Sequence, residues 1–402
     1  MKLVFDDPQL SFELLRTVGH GIYGGSDIGE CLTTAYRIKE GDFESWYEEW
    51  LKTADRVRNI ADNCLAGGHK VSAREAYLRA SNYYRSAEFF LHEDHTDPRI
   101  LLVWGASRDC FVKAADLFSP PIEAVEIPYE ETSLPAYFMR VDDSGAPRDT
   151  VIAQTGYDGT GEELYFDVGA AALRRGYNCL VFEGPGQGRV IREQKIYFRP
   201  DWGKVVTPVV DYLLTRPEVD SRRIALWGIS FGGYLVPRAA CYERRIAACI
   251  ANGGIYDVFD GVVSKWPYPP EDLKEYIRQD PAGFDEACRE MAKSSSEMRW
   301  AMQDGIWKFG VNTPSEWMNK MAECTLKGIA DRIACHLLVC DSETEQFFAG
   351  QAQKLYDAVT CPKEYMLFTI EESAEEHCQI GAHALQHQRI FDWLDDTMAK
   401  IA

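Results

Sequence analysis

The sequence predicts an α/β protein in which a mostly parallel, doubly wound sheet follows a helical region and is interrupted by a helical insertion. Three observations carry this. Short apolar runs at 151–154, 178–182, 224–227, 246–251 and 336–340 recur between amphipathic stretches, the alternation of βαβ units. Before residue 122 that alternation is missing, and aromatic side chains recur at helical spacing. From Asp257 to about Arg332 the strand pattern lapses again. The chain of 402 residues, 46% apolar, can bury a sizeable core. We divide it into a helical unit, 1–122, and a sheet unit, 123–402, with the insertion at about 258–332.

Each element has a local reason. Asp42 is placed to cap a helix with Trp46, Trp50, Val57, Ile60 and Cys64 on one face, ending at Gly67 and Gly68. Ser72 and Glu75 form a capping box for the next helix, which carries Tyr77, Ala80, Tyr84 and Ala87. A third runs from about 98 to 118 and stops before Pro120 and Pro121. Such aromatic stripes read as core before they read as a ligand box. Residues 124–129 and 136–140 alternate like a hairpin. Helices are expected at 166–175 and 202–216, at 271–277 and 284–291 in the insertion, and at 381–398.

Composition excludes several classes of function. Lys and Arg number 43 against 63 Asp and Glu, a net charge of −20. That field disfavours nucleic acid and anionic membranes. No run approaches the roughly 18 apolar residues of a membrane span, and the N-terminus lacks the apolar core of a signal peptide. The twelve cysteines include no CxxC pair, and several sit in apolar runs (Cys179, Cys249, Cys340). We expect a reducing compartment, the cytoplasm, with no disulfide framework and no zinc site.

Residues 228–232 read Gly-Ile-Ser-Phe-Gly, after an apolar strand and before a helix-compatible stretch from Gly233. Strand, sharp Gly-x-Ser-x-Gly turn and helix make the nucleophile elbow of α/β-hydrolases. A bare five-residue match is common by chance in loops; the strand and helix around it lift this one above that level. A serine nucleophile needs a base, and the base an orienting acid, in the chain order Ser, acid, His. Of eight histidines, His20, His69, His92 and His95 precede the serine, and His336 falls in a strand before any acid. His383 and His387 read as ordinary residues of the last helix, whereas His377 lies in the loop before it, which favours His377. After strand 337–340 the acids are Asp341, Glu343 and Glu345. Hydrolases often carry a Gly-Glu-x-Asp-like segment here with the triad acid last, a register that favours Glu345. The oxyanion hole would take the amide of Phe231 and one from the loop 155–159, where Tyr157 is the candidate and a plain glycine turn the rival reading. The run Glu183-Gly-Pro-Gly-Gln-Gly188 lacks the sequel of a phosphate loop and reads as a tight turn beside the site.

These motifs together resemble a group of α/β-hydrolases that contains the fungal heptaketide-shortening hydrolases of melanin biosynthesis (the yellowish-green pigment proteins) and 2,6-dihydroxypseudooxynicotine hydrolase. The matching stretches are 183–188, 227–234 with Pro237 and Arg238, and 375–382, and the helical N-terminal region is similar too. The resemblance implies hydrolysis of a carbon–carbon bond in a small 1,3-dicarbonyl substrate by a Ser-Asp-His triad, without cofactor or metal, in a homodimer. Ester cleavage uses the same parts. It also implies an assisting carboxylate downstream of the serine, for which Asp257 and Asp260 are candidates. Glu345 departs from the aspartate usual in the group.

Overall fold

The computed structural model describes residues 1–401. Five helices come first: α1 (Pro8–Gly19), α2 (Ile28–Ala35), α3 (Phe43–Ala66), α4 (Lys70–Glu88) and α5 (Arg99–Ala115). The Asp42 carboxylate accepts the Ser45 amide at 2.9 Å and caps α3, which buries Trp46, Trp50, Val57 and Ala61. The stripe steps from Val57 to Ala61, so Ile60 falls off it and is exposed. Ser72 does not cap α4. That helix starts at Lys70, directly after the glycine turn, which leaves Ser72 inside its first turn.

The strands are β1 (Glu123–Tyr129), β2 (Thr132–Met139), β3 (Arg148–Gln154), β4 (Asn178–Phe182), β5 (Val219–Ile229), β6 (Ala248–Asn252), β7 (His336–Ser342) and β8 (Lys363–Phe368). The described residues form one eight-stranded sheet in the order β1-β2-β4-β3-β5-β6-β7-β8. β2 pairs antiparallel with β1 and β4, and every later pairing is parallel. Helices α6 (Ala170–Arg174), α7 (Gly203–Leu213) and α8 (Gly232–Ala240) make crossovers. Between β6 and β7 stand α9 (Val258–Val262), α10 (Pro270–Gln279), α11 (Pro281–Ala292), α12 (Ser296–Phe309) and α13 (Pro314–Glu323); α14 (Gln351–Ala358) and α15 (His383–Met398) complete the chain.

Alternation along each strand divides the core. Ala225 and Trp227 of β5 point into the layer that holds the N-terminal helices and α15. Ile224 and Leu226 point into the layer of α7, α8 and the insertion. The N-terminal helices thus share one continuous core with the sheet. Two kinds of element escaped sequence reading. β8 (Lys-Glu-Tyr-Met-Leu-Phe) is an edge strand that opens on two charged residues and buries only Met366 and Phe368. α12 buries Trp300, Met302, Asp304, Gly305, Ile306, Lys308 and Phe309, which face several sides of a helix wedged between layers and make no single apolar stripe. No helix of the described residues is long and apolar enough to cross a membrane.

Candidate active site

β5 ends at Ile229 and α8 begins at Gly232, so Ser230 sits at a strand-to-helix corner. Its φ is +60°, in the left-handed region, a conformation that costs a non-glycine residue about 1–3 kcal/mol. Its amide donates to the Asn252 carbonyl at 2.9 Å, and Cys378 Sγ lies 3.2 Å from the same nitrogen. A Cβ on Gly228 would stand 2.2 Å from the Gly232 carbonyl oxygen, which makes that glycine obligatory. At Gly232 the nearest atom is 3.1 Å away, so the constraint is sharper on the strand side of the serine.

The loop after β8 brings His377 to the corner. Its Nε2 lies 2.8 Å from Ser230 Oγ. Its Nδ1 lies 2.7 and 2.8 Å from the two carboxylate oxygens of Glu345. A carboxylate on Nδ1 fixes the proton there and leaves Nε2 as acceptor for the serine hydroxyl. Glu345 itself accepts the amides of Phe347 and Phe348 at 2.8 and 3.1 Å. Burial opposes its charge, but His377 and those amides hold its carboxyl below the usual range. For His377, burial works against the imidazolium; Cys378 and Glu345 outweigh it and raise the pKa well above the ordinary value.

The other candidates have different partners. Asp341 accepts the Tyr365 hydroxyl at 2.5 Å and the Ser342 amide, and burial pushes its carboxyl up. Glu343 accepts the Ile370 amide. Asp257 caps α9 through the Asp260 amide and pairs with Lys327 at 3.1 Å. Asp260 pairs with Lys274 and Lys327. Among the described residues none of these four is bonded to Ser230 or His377. His383 and His387 are not idle helix residues: both are buried and contact Asp167.

The loop 155–159 faces the corner. A Cβ on Gly156 would lie 2.7 Å from the Ile229 carbonyl oxygen and 2.8 Å from Ser230 Cβ. Among the described residues the amides of Phe231 and Tyr157 are not used in the backbone bonds around the turn, which leaves two donors free beside Ser230. The Glu183–Gly188 turn props this loop: Gln187 Nε2 donates to the carbonyls of Thr155 and Gly156 at 2.9 and 2.8 Å. Two buried cations grip it. Lys308 of α12 donates to the Tyr157 carbonyl at 2.7 Å and pairs with Asp304 at 3.1 Å. Arg16 of α1 pairs with Asp158 at 2.8 Å and with Glu163 at 2.7 Å. Sequence reading missed both, because a Lys or Arg on a helix normally marks a solvated face.

Aromatic groups line the site. Phe347 stands edge-on to His377 at 4.8 Å between centroids, and Phe12 of α1 stands edge-on to Phe347 at 5.8 Å. The Tyr157 ring lies among Phe198, Phe231 and Phe309. α12 meets the N-terminal helices where Trp300 stacks on Phe89 at 4.5 Å and donates to its carbonyl. Both ring nitrogens of His377 are committed to Ser230 and Glu345, an arrangement suited to proton transfer rather than metal ligation.

Comparison with known proteins agrees with this architecture. Residues 155–378 match the family described as Alpha/beta hydrolase family, and residues 30–265 match Esterase FrsA-like. A hydrolase of a Fusarium species is 36% identical over 99% of this chain and 98% of its own. The 20-hydroxy-prefusarin hydrolase of Gibberella moniliformis is 36% identical over 99% of each chain. A hydrolase of Aspergillus aculeatus is 34% identical over 96% of this chain and 95% of its own. The crystal structure of 2,6-dihydroxy-pseudo-oxynicotine hydrolase shares the fold, with a TM-score of 0.74 at 23% identity over 96% of this chain and 97% of that one. The chain is a hydrolase and belongs to the alpha/beta hydrolase family, alongside these full-length fungal relatives.

Proposed function

We propose that this protein is a serine hydrolase that cleaves a carbon–carbon bond in a β-dicarbonyl, polyketide-type metabolite. The observation that carries the reading is the continuous chain Ser230–His377–Glu345, at 2.8 and 2.7 Å, on a strained corner beside two free amides. The relative that acts on 20-hydroxy-prefusarin supports a fungal metabolite as substrate. We read residues 1–122 as a cap that, with the 258–332 insertion, covers the catalytic end of the sheet; Phe12 and Trp300 support this. The homodimer and the cytoplasmic location remain part of the same proposal.

The chemistry follows from the geometry. His377 Nε2 takes the Ser230 proton as Oγ attacks a ketone carbonyl of the substrate. The oxyanion accepts bonds from the Phe231 and Tyr157 amides. Collapse breaks the bond to the neighbouring carbon and expels an enolate, whose charge the second carbonyl delocalises. His377 returns the proton to that enolate, releasing a ketone. Water, deprotonated by His377, then attacks the acyl-Ser230 ester and releases a carboxylic acid. The balance is diketone plus water to ketone plus acid. Throughout, Glu345 holds the imidazolium upright and stabilises it. The aromatic walls keep water out until the carbon–carbon bond is broken.

A second reading, ester or lactone cleavage or acyl transfer in a cyclisation, uses the same parts and has the esterase-type family match behind it. A synthetic β-diketone and an ester of the same acyl group decide between them when products are identified by mass spectrometry. We expect ketone and acid from the diketone at a kcat/KM at least comparable to the ester's. Turnover of the ester alone would replace the carbon–carbon reading with the esterase one.

A further inference from the structure

Away from Ser230, the side chains of His20, Asp167 and His383 bring three ligand-type atoms within 4.8 Å of one another. His20 follows α1, Asp167 lies in the turn before α6, and His383 opens α15, so the cluster joins the N-terminal helices to both ends of the sheet unit. All three are largely buried, Asp167 with 17% of its side chain exposed.

The surroundings fix which nitrogen of His20 carries a proton. Asn82 Nδ2 donates to the carbonyls of Gly25 and Thr17 at 2.9 and 3.3 Å, so its Oδ1 must face His20 Nδ1, 3.1 Å away. Nδ1 is therefore the donor. Nε2 is left pointing at Asp167 Oδ1 at 3.0 Å. A bare lone pair against a carboxylate at that distance is repulsive, so a cation belongs on Nε2 or between the two atoms. His383 Nε2 converges on the same oxygen at 3.3 Å, and its buried Nδ1 has no hydrogen-bond partner. The neighbouring charges add to the demand. Glu163 lies 3.8 Å from His20 Nε2. Arg16 and Arg85 face Glu13, Asp158 and Glu163 as well as this corner. Asp158, Glu163 and Asp167 outnumber the two arginines even before Glu13 is counted. His387 donates through Nε2 to the Asp167 main-chain carbonyl at 2.6 Å and so lies outside the cluster of ligand atoms.

We propose that His20 Nε2, His383 Nε2 and Asp167 Oδ1 bind one divalent transition-metal ion of the zinc class, as a structural clasp between the N-terminal helices and α15. With metal–ligand bonds of about 2.0–2.1 Å, edges of 3.0 and 3.3 Å give angles at the ion of about 95° and 105°. Those angles suit a tetrahedral or octahedral ion, with the remaining positions filled by water from the accessible side of Asp167. The Asn82 bond to His20 Nδ1 is the outer-shell contact that orients metal-bound histidines. Sequence reading excluded zinc on cysteine spacing alone, and this ligand set contains no cysteine. The rival cation is a single proton on His20.

The test uses the full-length chain, stripped with a chelator and titrated with Co²⁺, followed by visible absorption, with Zn²⁺ competition and elemental analysis as second readouts. We expect one equivalent per chain with d–d bands, displaced by Zn²⁺ and unchanged in Ser230→Ala. Asp167→Asn and His383→Gln should abolish it, and Asn82→Ala should weaken it about 10–100-fold. His383→Gln is the milder variant, because His383 Nδ1 has no partner to lose. Absence of stoichiometric binding by the wild-type chain, or wild-type affinity in both ligand variants, would overturn the proposal in favour of the protonated histidine.

Discussion

The serine corner and the loop 155–159 face each other across the candidate site, but they are held by opposite means. Ser230 is fixed locally: strand, glycine and helix within a few residues force its φ to +60°. The loop 155–159 is fixed from far away in sequence. Lys308 reaches its backbone from 151 residues downstream, and Gln187 from 31 and 32 residues downstream. Arg16 pairs with Asp158 from the first helix. The Ser230 corner is therefore a property of one motif, and the placement of loop 155–159 beside it is a property of how the N-terminal helices, the insertion and the sheet assemble. A fold can keep the first and retune the second by changing the helices that grip the loop.

The comparison can be broken first at the corner. Ser230→Ala should lower kcat by about 10⁶-fold, with circular dichroism and melting unchanged, because alanine keeps the Cβ and the same left-handed φ. A loss of less than tenfold would remove Ser230 from the mechanism. Glu345→Gln comes next, with a loss of about 10⁴-fold and a displaced pH profile. The base must be neutral to act. Against the effect of burial, Cys378 and Glu345 keep His377 protonated to a pH above the ordinary histidine value, so the acidic limb of kcat/KM should lie above about 6.5. Without the Glu345 charge burial weighs more heavily, and the limb should move to lower pH. A limb that stays in place in the variant would show that Glu345 does not govern His377.

The long-range half should yield smaller, separable losses. Lys308→Met leaves Asp304 buried with one partner fewer, a destabilisation of about 3–5 kcal/mol. By loosening the Tyr157 carbonyl it should also lower kcat about 10²-fold with KM changed far less. Arg16→Met should act in the same direction through Asp158. A rise in KM alone in either variant would make these cations substrate-pocket residues instead of loop-positioning ones. The smallest effect is expected from Asp341→Asn: Asp341 bonds Tyr365 and not His377, so kcat should stay within about threefold, inside the range of ordinary surface changes.

What sequence made legible divides along the same line. The corner, His377 and the register that favoured Glu345 all sit in short segments whose chain order is set by the fold, and the structure brings those three side chains together. The strands β3 to β7 announced themselves as apolar runs because a parallel sheet is buried on both faces. β8 did not, because half of this edge strand is charged or exposed and only Met366 and Phe368 are buried. α12 stayed hidden because a helix buried on several sides loses its single apolar stripe, and its Asp304 and Lys308 look solvent-facing until Tyr157 and His92 are placed beside them. Asp257 and Asp260 could be proposed only by their distance from Ser230 in the chain; in space Asp257 caps α9 and both hold Lys327.

In the proposed reaction Ser230 forms a covalent acyl-enzyme by breaking a carbon–carbon bond. The most direct test of this step is intact-protein and peptide mass spectrometry of the chain quenched during turnover of a synthetic β-diketone, beside Ser230→Ala. The account predicts an added acyl group on the peptide that contains Ser230, formed together with one equivalent of ketone and absent from the variant. Ketone release by the wild-type chain with no adduct at Ser230, or an adduct that persists in Ser230→Ala, would contradict it.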